Sequence, residues 1–312
     1  MSKSKVLIVG GTGYIGNRIV KESLAQGHPT YILMRRELGY EIEKVQMLLS
    51  FKSKGAHLVE GSFSDHQSLV DAVKLVDIVI CTISGVQYRS HNILLQLKLV
   101  DAIIEAGNVK RFLPSEFGMD YSRLEHVLEY GKETFIDKMV IRKAIEDAKI
   151  PYTYISSNCV AAYFAGNLSQ LGTLMPPKDR VKIYGDGNRK VVYIDEDDVA
   201  TYTIKTVDDA RTLNKTLYLR PHKNILSHNE LVEKWEKLSN KTLEKVHISD
   251  KDFLASIKDV EYNFQAVLAR IYLIYYEGRL MNFEIGEEGE EASEIYPEVQ
   301  YTQMDEYLQR YL

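Results

Sequence analysis

The sequence predicts an α/β protein with a doubly wound parallel sheet and a smaller C-terminal substrate-binding region. The apolar run Val6–Val9 leads into a glycine-rich turn, and the segment Asn17–Gln26 that follows has the pattern of a helix. Strand-like and helix-like segments then alternate through the first half of the chain. This alternation is typical of a parallel sheet with helices on both faces.

Composition excludes several classes of protein. The 312 residues, 45% of them hydrophobic and 27% charged, suit one large globular domain or two smaller ones. A net charge of -5 gives no support for a nucleic-acid partner, and we expect no membrane-spanning or signal segment. Cys81 and Cys159 are too few for a disulfide framework and are expected to be buried thiols, while the scattered histidines predict no metal site. We therefore expect a cytoplasmic protein.

The glycine-rich turn carries the pattern G-x-G-x-x-G from Gly11, and G-x-x-G-x-x-G from Gly10. Such a turn brings backbone N–H groups close to a pyrophosphate, and the N-terminus of the next helix adds partial positive charge. The alternative is a loop with only structural duties. We predict a Rossmann-type dinucleotide site whose first residues are Gly10, Gly11, Thr12, Gly13, Tyr14, Ile15 and Gly16.

The second predicted strand, Pro29–Met34, ends in Arg35 and Arg36. An NAD enzyme usually places an acidic residue here for the ribose 2′-hydroxyl. A guanidinium instead pairs well with a 2′-phosphate, so the sequence favours NADPH over NADH. Lys44 is a further candidate cation for that phosphate. Solvent-exposed surface charges are the alternative for all three side chains.

Other strand ends predict the rest of the site, because ligands of open parallel sheets bind outside the carboxyl ends of the strands. Strand Asp77–Ile83 places Thr82, Ser84 and Gly85 at the nicotinamide half of the groove. Strand Val109–Leu113 leads into the loop Pro114–Asp120, where Met119 is a candidate substrate contact and Glu116 an N-cap or salt-bridge residue. Strand Pro151–Ile155 leads to Asn158, a further candidate cofactor contact.

The regular alternation ends near Asn158, so we predict a cofactor-binding domain at 1–157. Residues 158–312 are predicted to be mainly substrate-binding, with some segments returning to the first domain. Tyr163, Phe164 and Gly166 are candidate substrate contacts, with plain core as the alternative. The segments Val181–Tyr184 and Val191–Ile194 flank Gly185–Asn188, which predicts a β-hairpin. The acidic run Glu287–Glu294 is expected to be a solvated loop.

Lys138 is the candidate catalytic residue. Short-chain reductases commonly use a Tyr-x-x-x-Lys pair, and here the corresponding string runs from Thr134 to Lys138. The lysine is present and the tyrosine is absent, which argues against ketone reduction by a tyrosyl proton donor. Arg142 lies one turn further along the predicted helix Thr134–Ala148 and is a candidate near the cofactor.

The chain resembles the plant NADPH-dependent phenylpropanoid and lignan reductases, which include pinoresinol-lariciresinol, isoflavone and phenylcoumaran benzylic ether reductases. The resemblance covers essentially the whole chain and is closest to the pinoresinol and pinoresinol-lariciresinol subgroup. It rests on the motifs at Gly10–Gly16, Ile83–Ile103, Gly107–Asp120, Asp137–Glu146 and Tyr296–Leu308, and for the subgroup on Met47–Val70.

This resemblance implies NADPH as cofactor, Lys138 as general acid or base, and a furofuran lignan as small-molecule substrate. Loss of a phenolic proton would open the benzylic C–O bond to a quinone methide, which accepts hydride from NADPH. The product would be lariciresinol, and secoisolariciresinol after a second step. The segment Leu268–Gly278 departs from the subgroup, since Arg270 and the candidate substrate contact Tyr272 stand where histidines are frequent; this leaves the second step open.

Two alternatives remain at this point, together with one expectation about assembly. Isoflavone or phenylcoumaran benzylic ether reduction is the enzymatic alternative. A regulator that senses NADP(H) without catalysis is the alternative of another class, and the missing tyrosine is compatible with it. We also expect a homodimer.

Overall fold

The computed structural model describes residues 3–36, 41–85, 90–124, 126 and 128–312. In the first half of the chain, strands and α-helices alternate. They are β1 (Val6–Val9), α1 (Gly16–Ala25), β2 (Thr30–Met34), α2 (Ile42–Ser53), β3 (His57–Glu60), α3 (His66–Lys74), β4 (Ile78–Cys81), α4 (Gln96–Ala106), β5 (Arg111–Leu113), α5 (Lys132–Asp147) and β6 (Thr153–Ser156).

The first five strands form a parallel sheet in the order β3-β2-β1-β4-β5. At its centre Ile8 of β1 pairs with Ile32 of β2 on one side and with Ile80 of β4 on the other. A parallel bridge between Phe112 and Tyr152 extends the sheet toward β6. The strand order reverses next to β1, which is the position where doubly wound sheets bind nucleotides. The predicted Rossmann-type α/β fold is confirmed.

The core of this sheet is apolar on both faces, as expected when helices cover a parallel sheet. All four residues of β1 and of β4 are buried. On one face they pack with buried side chains of α3, α4 and α5, such as Leu69, Leu99 and Ile141. Cys81 and Cys159 are free and buried, as predicted, and burial raises the pKa of the Cys81 thiol to about 12.

The second half of the chain is more irregular. Its elements are β7 (Cys159–Val160), α6 (Ala161–Phe164), β8 (Arg180–Tyr184), β9 (Lys190–Ile194), α7 (Glu196–Lys205), β10 (Lys215–Tyr218), β11 (Ile225–Ser227), α8 (His228–Ser239), β12 (Glu244–Ile248), α9 (Asp250–Ile257), α10 (Tyr262–Tyr275), β13 (Gly289–Glu291), α11 (Ala292–Ile295) and α12 (Met304–Gln309). Short 3-10 turns lie at Asn92–Leu95, Tyr121–Arg123, Ala210–Thr212 and His222–Asn224.

The β-hairpin predicted around Gly185–Asn188 is wrong, although the turn itself is present. Strand β8 pairs in parallel with β12, whereas β9 pairs with β11 and β7. The side chain of Asn229, at the start of α8, donates to the carbonyl of Asp186 and to Oδ1 of Asn188. The polar groups of the turn are therefore held by a helix, and the two strands are free to enter different sheets.

The solvated loop predicted for Glu287–Glu294 is wrong in part, because this segment contains β13 and the start of α11. Glu291 is buried, and its carboxylate accepts hydrogen bonds from the backbone N–H groups of Arg220, Ser293 and Glu294. A carboxylate that caps a helix N-terminus is stabilised by the unpaired N–H groups there. Local sequence could not separate this residue from its exposed acidic neighbours.

The chain divides into two compact units. Unit 1 contains Met1–Phe117, Thr134–Ile155 and Val199–Leu217, and unit 2 contains Gly118–Glu133, Ser156–Asp198 and Tyr218–Leu312. The chain thus passes between the units several times. Among the described residues, none of the helices combines the length and apolar character that crossing a membrane requires.

Candidate cofactor and active site

The predicted nucleotide turn lies between β1 and α1 in unit 1. The N–H of Gly13 donates to the carbonyl of Gly10 at 2.9 Å, and the backbone N–H and side-chain hydroxyl of Thr82 both donate to the carbonyl of Val9, at 2.8 and 2.9 Å. Thr82 follows β4, so the structure brings together two strand ends that the sequence assigned to one site. Gly11, Thr12, Tyr14 and Ile15 complete the turn.

Two glycines of the turn cannot carry a side chain. Gly10 has a positive φ of 86°, and a Cβ there would lie 2.7 Å from Oγ1 of Thr82. A Cβ on Gly16 would collide with the backbone carbonyl of Gly10, whereas one on Gly13 would meet that carbonyl at 3.1 Å and no second neighbour among the described atoms within 4 Å. Gly16 therefore lets α1 approach the sheet, and Gly13 leaves open space in front of a helix N-terminus. This cradle fits a dinucleotide pyrophosphate.

Three cations predicted for the 2′-phosphate lie at the carboxyl end of β2 and the start of α2. Arg36 forms a two-point contact with Glu60 at 2.7 and 3.2 Å, and the Arg36 hydrogen bond lowers the pKa of the Glu60 carboxyl. Arg35 and Lys44 both contact the carboxylate of Glu41, with 3.5 Å between Nη2 of Arg35 and Oε1 of Glu41. The sequence did not single out either glutamate.

Lys138 and Arg142 meet at Glu116, which sits in the loop after β5. The Lys138 ammonium donates to the backbone carbonyl of Glu116, and the Arg142 guanidinium contacts both carboxylate oxygens of Glu116 at 2.9 and 3.1 Å. All three side chains are buried. The salt-bridge interpretation of Glu116 is confirmed. The Arg142 guanidinium also lies 4.3 Å over the ring of Tyr154, which adds an aromatic contact within unit 1.

The end of β4 lies beside the helix that carries Lys138. A Cβ added to Gly85 would lie 3.1 Å from Ile93 and 3.4 Å from Thr134, the residue at the position of the short-chain reductase tyrosine. Ser84, next to Gly85, is exposed. In addition, Ser115 donates its hydroxyl to the carbonyl of Ile83 at 2.7 Å, which joins the loop after β5 to the end of β4. Residues predicted for the nicotinamide side and for catalysis thus share one edge of the sheet.

The predicted substrate contacts belong to unit 2. Met119 is buried, and its neighbour Gly118 accepts a hydrogen bond from the N–H of Asn158 at 3.1 Å. Asn158 has a positive φ of 53° and donates its side-chain amide to the carbonyl of Leu219 at 2.7 Å. The loop after β5 and the end of β6 are therefore fixed to one another at this point.

Tyr163 is 59% exposed at the end of α6, Phe164 is half-buried, and Gly166 is buried. A Cβ on Gly166 would collide with the Tyr311 hydroxyl, so this glycine permits close packing within unit 2. Tyr272 of α10 stacks on Tyr276 with 5.3 Å between ring centroids, and burial together with a hydrogen bond to Asp250 raises its pKa to about 12.

The segment that follows these aromatic residues is held by a buried hydroxyl chain. Leu168 and Ser169 both have positive φ, at 53° and 59°. The hydroxyl of Ser169 contacts that of Tyr275, which lies 3.0 Å from the hydroxyl of Tyr193. His228 contacts the carbonyl of Leu168, and burial lowers the pKa of His228 to about 4. His228 is therefore a neutral imidazole that holds the backbone at Leu168, two residues after the candidate substrate contact Gly166.

A cavity of about 460 Å³ in unit 2 is lined by residues outside the predicted site, including Arg220, His222 and Phe283. Three side chains beside this cavity lie close enough together to hold a metal ion, namely His222, Glu291 and Glu294. Glu291 argues against this, because its carboxylate oxygens accept hydrogen bonds from Arg220, Ser293 and Glu294. Glu291 is therefore explained as the cap of α11.

Comparison with known proteins shows similarity along almost the whole chain. A family model described as the NmrA-like family matches residues 2–308. An isoflavone reductase homolog of Lupinus albus is 67% identical and a bifunctional pinoresinol-lariciresinol reductase of Sinopodophyllum hexandrum is 64% identical, each covering 100% of both chains. A solved structure described as AtPrR2 with NADP+ and (+)pinoresinol has a TM-score of 0.96 and 61% identity, and also covers 100% of both chains. The chain belongs to the NmrA-like family.

Proposed function

We propose that this chain is an NADPH-dependent reductase that opens the benzylic ether of furofuran lignans and converts pinoresinol to lariciresinol. The 64% identity to a bifunctional pinoresinol-lariciresinol reductase supports a second reduction, to secoisolariciresinol. The observation that carries the proposal is the match along the full chain, at a TM-score of 0.96 and 61% identity, to a structure described with NADP+ and (+)pinoresinol. The cradle at Gly10–Gly16 independently fits a dinucleotide.

Most of the residues that we assign to the cofactor belong to unit 1. The turn Gly10–Gly16 holds the pyrophosphate, and Arg35 and Lys44 bind the 2′-phosphate. Thr82, Ser84, Gly85 and Asn158 line the nicotinamide side, while Arg36 and Arg142 contribute positive charge from positions where each already contacts a glutamate. When bound, NADPH supplies the hydride.

Lys138 is the general base and acid for the phenolic proton of the substrate. Its ammonium is held by the carbonyl of Glu116 at the carboxyl edge of the sheet, and it is buried. With its amine deprotonated, Lys138 takes the phenolic proton of the substrate, which lets the benzylic C–O bond break to a quinone methide and an alkoxide. The alkoxide takes a proton from solvent, and Lys138 returns its proton to the phenolate oxygen after hydride has reached the benzylic carbon. This route requires no tyrosine at Thr134.

Unit 2 provides the substrate region, with Met119, Tyr163, Phe164, Gly166 and Tyr272 as its contacts. Exposed aromatic surface at Tyr163 supports this role, since a lignan presents two aromatic rings. The protein acts in the cytoplasm as a homodimer. Free buried thiols support a reducing compartment, and the exposed apolar stripe Ile136, Met139 and Val140 on α5 supports contact with a second copy.

The test is product analysis after incubation of the purified protein with NADPH and each of three substrates: racemic pinoresinol, an isoflavone and a phenylcoumaran. We expect NADPH absorbance to fall with pinoresinol and chromatography to detect lariciresinol and secoisolariciresinol. If the isoflavone or the phenylcoumaran is reduced faster than pinoresinol, the proposal is wrong and the chain is a reductase of that substrate. Tight NADPH binding without oxidation on any substrate would favour the sensor.

A further inference from the structure

Glu41 joins two of the three cations that the sequence assigned to the 2′-phosphate. Arg35 follows β2, and Lys44 lies in the first turn of α2. The distance from Nη2 of Arg35 to Oε1 of Glu41 is 3.5 Å, and Nζ of Lys44 contacts the other carboxylate oxygen. Two separate cations thus converge on one internal anion.

The contact with Arg35 and Lys44 is not a by-product of helix capping. Glu41 is the N-cap residue of α2, but within the described part of the chain its side chain accepts no hydrogen bond from the N–H groups of that helix. Its carboxylate is about 40% exposed, so it can turn to solvent without leaving a buried charge. The Glu41 carboxylate can therefore release Arg35 and Lys44 at little cost to the stability of the fold.

A phosphate monoester requires the same partners as this carboxylate. It carries up to two negative charges near neutral pH and offers three acceptor oxygens, so it pairs more strongly with a guanidinium and an ammonium than a carboxylate does. Arg36 has a different arrangement, since it forms a two-point pair with Glu60 at the end of β3. Of these glutamates, Glu41 is the one that lies between two candidate phosphate ligands.

We propose that Glu41 is an internal competitor for the 2′-phosphate of NADPH, and that it thereby sets the affinity for NADPH relative to NADH. The inference rests on the proposed assignment of Arg35 and Lys44 to that phosphate. Binding of the 2′-phosphate exchanges one acceptor for another on the two cations and releases the Glu41 carboxylate to water. NADH has no 2′-phosphate and leaves the Glu41 contacts in place.

The test uses two adenosine ligands that differ only by the 2′-phosphate, namely adenosine 2′,5′-bisphosphate and adenosine 5′-monophosphate, titrated by calorimetry. We expect Glu41→Gln to bind the bisphosphate about two- to tenfold more tightly, the range for one or two half-exposed ion pairs. Its affinity for the monophosphate should not change. Glu43→Gln is the matched control, because Glu43 is exposed on the same helix and the change in net charge is identical.

Three results would overturn the inference: no gain for the bisphosphate, an equal gain for both ligands, or an equal gain in Glu43→Gln. Arg35→Ala separates this failure from failure of the cofactor assignment. If Arg35→Ala leaves the bisphosphate affinity unchanged, the assignment of Arg35 to the phosphate is wrong. If Arg35→Ala weakens binding and Glu41→Gln gives no gain, the assignment stands and competition by Glu41 is wrong. In Arg35→Ala, the gain from Glu41→Gln should shrink.

Discussion

Arg142 forms a buried two-point ion pair with Glu116, at 2.9 and 3.1 Å. The backbone carbonyl of the same glutamate accepts the hydrogen bond of Lys138. The ion pair therefore fixes the loop that holds the candidate catalytic ammonium, and it connects that loop to α5.

Glu116→Gln should destabilise the protein by roughly 3–5 kcal/mol, because it leaves the buried Arg142 charge without its partner. The free energy of unfolding in denaturant measures this. The double variant Glu116→Gln with Arg142→Met should recover part of the loss, since it removes both charges. A wild-type unfolding midpoint in Glu116→Gln would show that the pair carries no such role.

Gly16→Ala should mainly lower stability, whereas Gly13→Ala should mainly lower the affinity for NADPH. In Gly16→Ala the methyl group would collide with the Gly10 carbonyl, so thermal unfolding should report a loss of about 1–3 kcal/mol or more. In Gly13→Ala the methyl group would point into the open space of the cradle. We expect it to unfold near the wild-type temperature and to lose roughly tenfold in NADPH affinity, about 1.4 kcal/mol. Unchanged NADPH affinity in folded Gly13→Ala would mean that the turn is only structural.

Asp198 should make stability depend on pH. Burial, with help from the charges of Asp195 and Asp197, raises the pKa of its carboxyl to about 7, although the Thr302 N–H and Arg310 act in the opposite direction. The folded-state pKa exceeds the unfolded one, so this group favours the folded state most at low pH. Its contribution falls by roughly 1.4 kcal/mol per pH unit as pH rises between about 4 and 7.

The measurement is the free energy of unfolding at pH 5 and at pH 8 for wild type and Asp198→Asn. The neutral amide should make the variant more stable than wild type at pH 8, and the difference should narrow at pH 5. Asp259→Asn, an exposed site, should keep the wild-type dependence. An identical dependence in wild type and Asp198→Asn would contradict the prediction.

Lys138→Ala should lower kcat by roughly 10²–10⁴, the usual contribution of a positioned acid or base. NADPH affinity should fall by much less, because the phosphate contacts are elsewhere. Lys143→Ala is the control, since Lys143 is exposed on the same helix and pairs with Asp147 at the surface. Steady-state rates with pinoresinol measure kcat, and a separate NADPH titration measures the affinity for the cofactor. Full activity of Lys138→Ala would show that this lysine takes no part in the mechanism.

The sequence was sufficient where a local pattern determines the structure. The turn at Gly10–Gly16 could be predicted because an apolar strand, closely spaced glycines and a helix follow one another directly. The position of Lys138 followed from spacing along one helix. Both depend on neighbours within a few residues.

Several pairings over a long distance in sequence, outside the repeating strand–helix pattern, could not be predicted. Strand β8 finds its partner β12 some sixty residues later, with Lys182 opposite Val246, and nothing around the turn at Gly185 indicates this. The contact of Glu41 with Arg35 depends on where α2 begins, and the motifs used above do not locate that start. The hydrogen bond from the Arg220 N–H to the Glu291 carboxylate likewise joins residues that lie far apart in the chain.

The most direct test of the proposed mechanism compares pinoresinol with its di-O-methyl ether. A methylated phenol has no proton for Lys138 to remove, so the quinone methide cannot form. Product formation with NADPH should be rapid for pinoresinol and absent for the ether, while the ether should still inhibit as a competitive ligand. Reduction of the ether at a rate near that of pinoresinol would contradict the phenol-driven opening of the benzylic C–O bond.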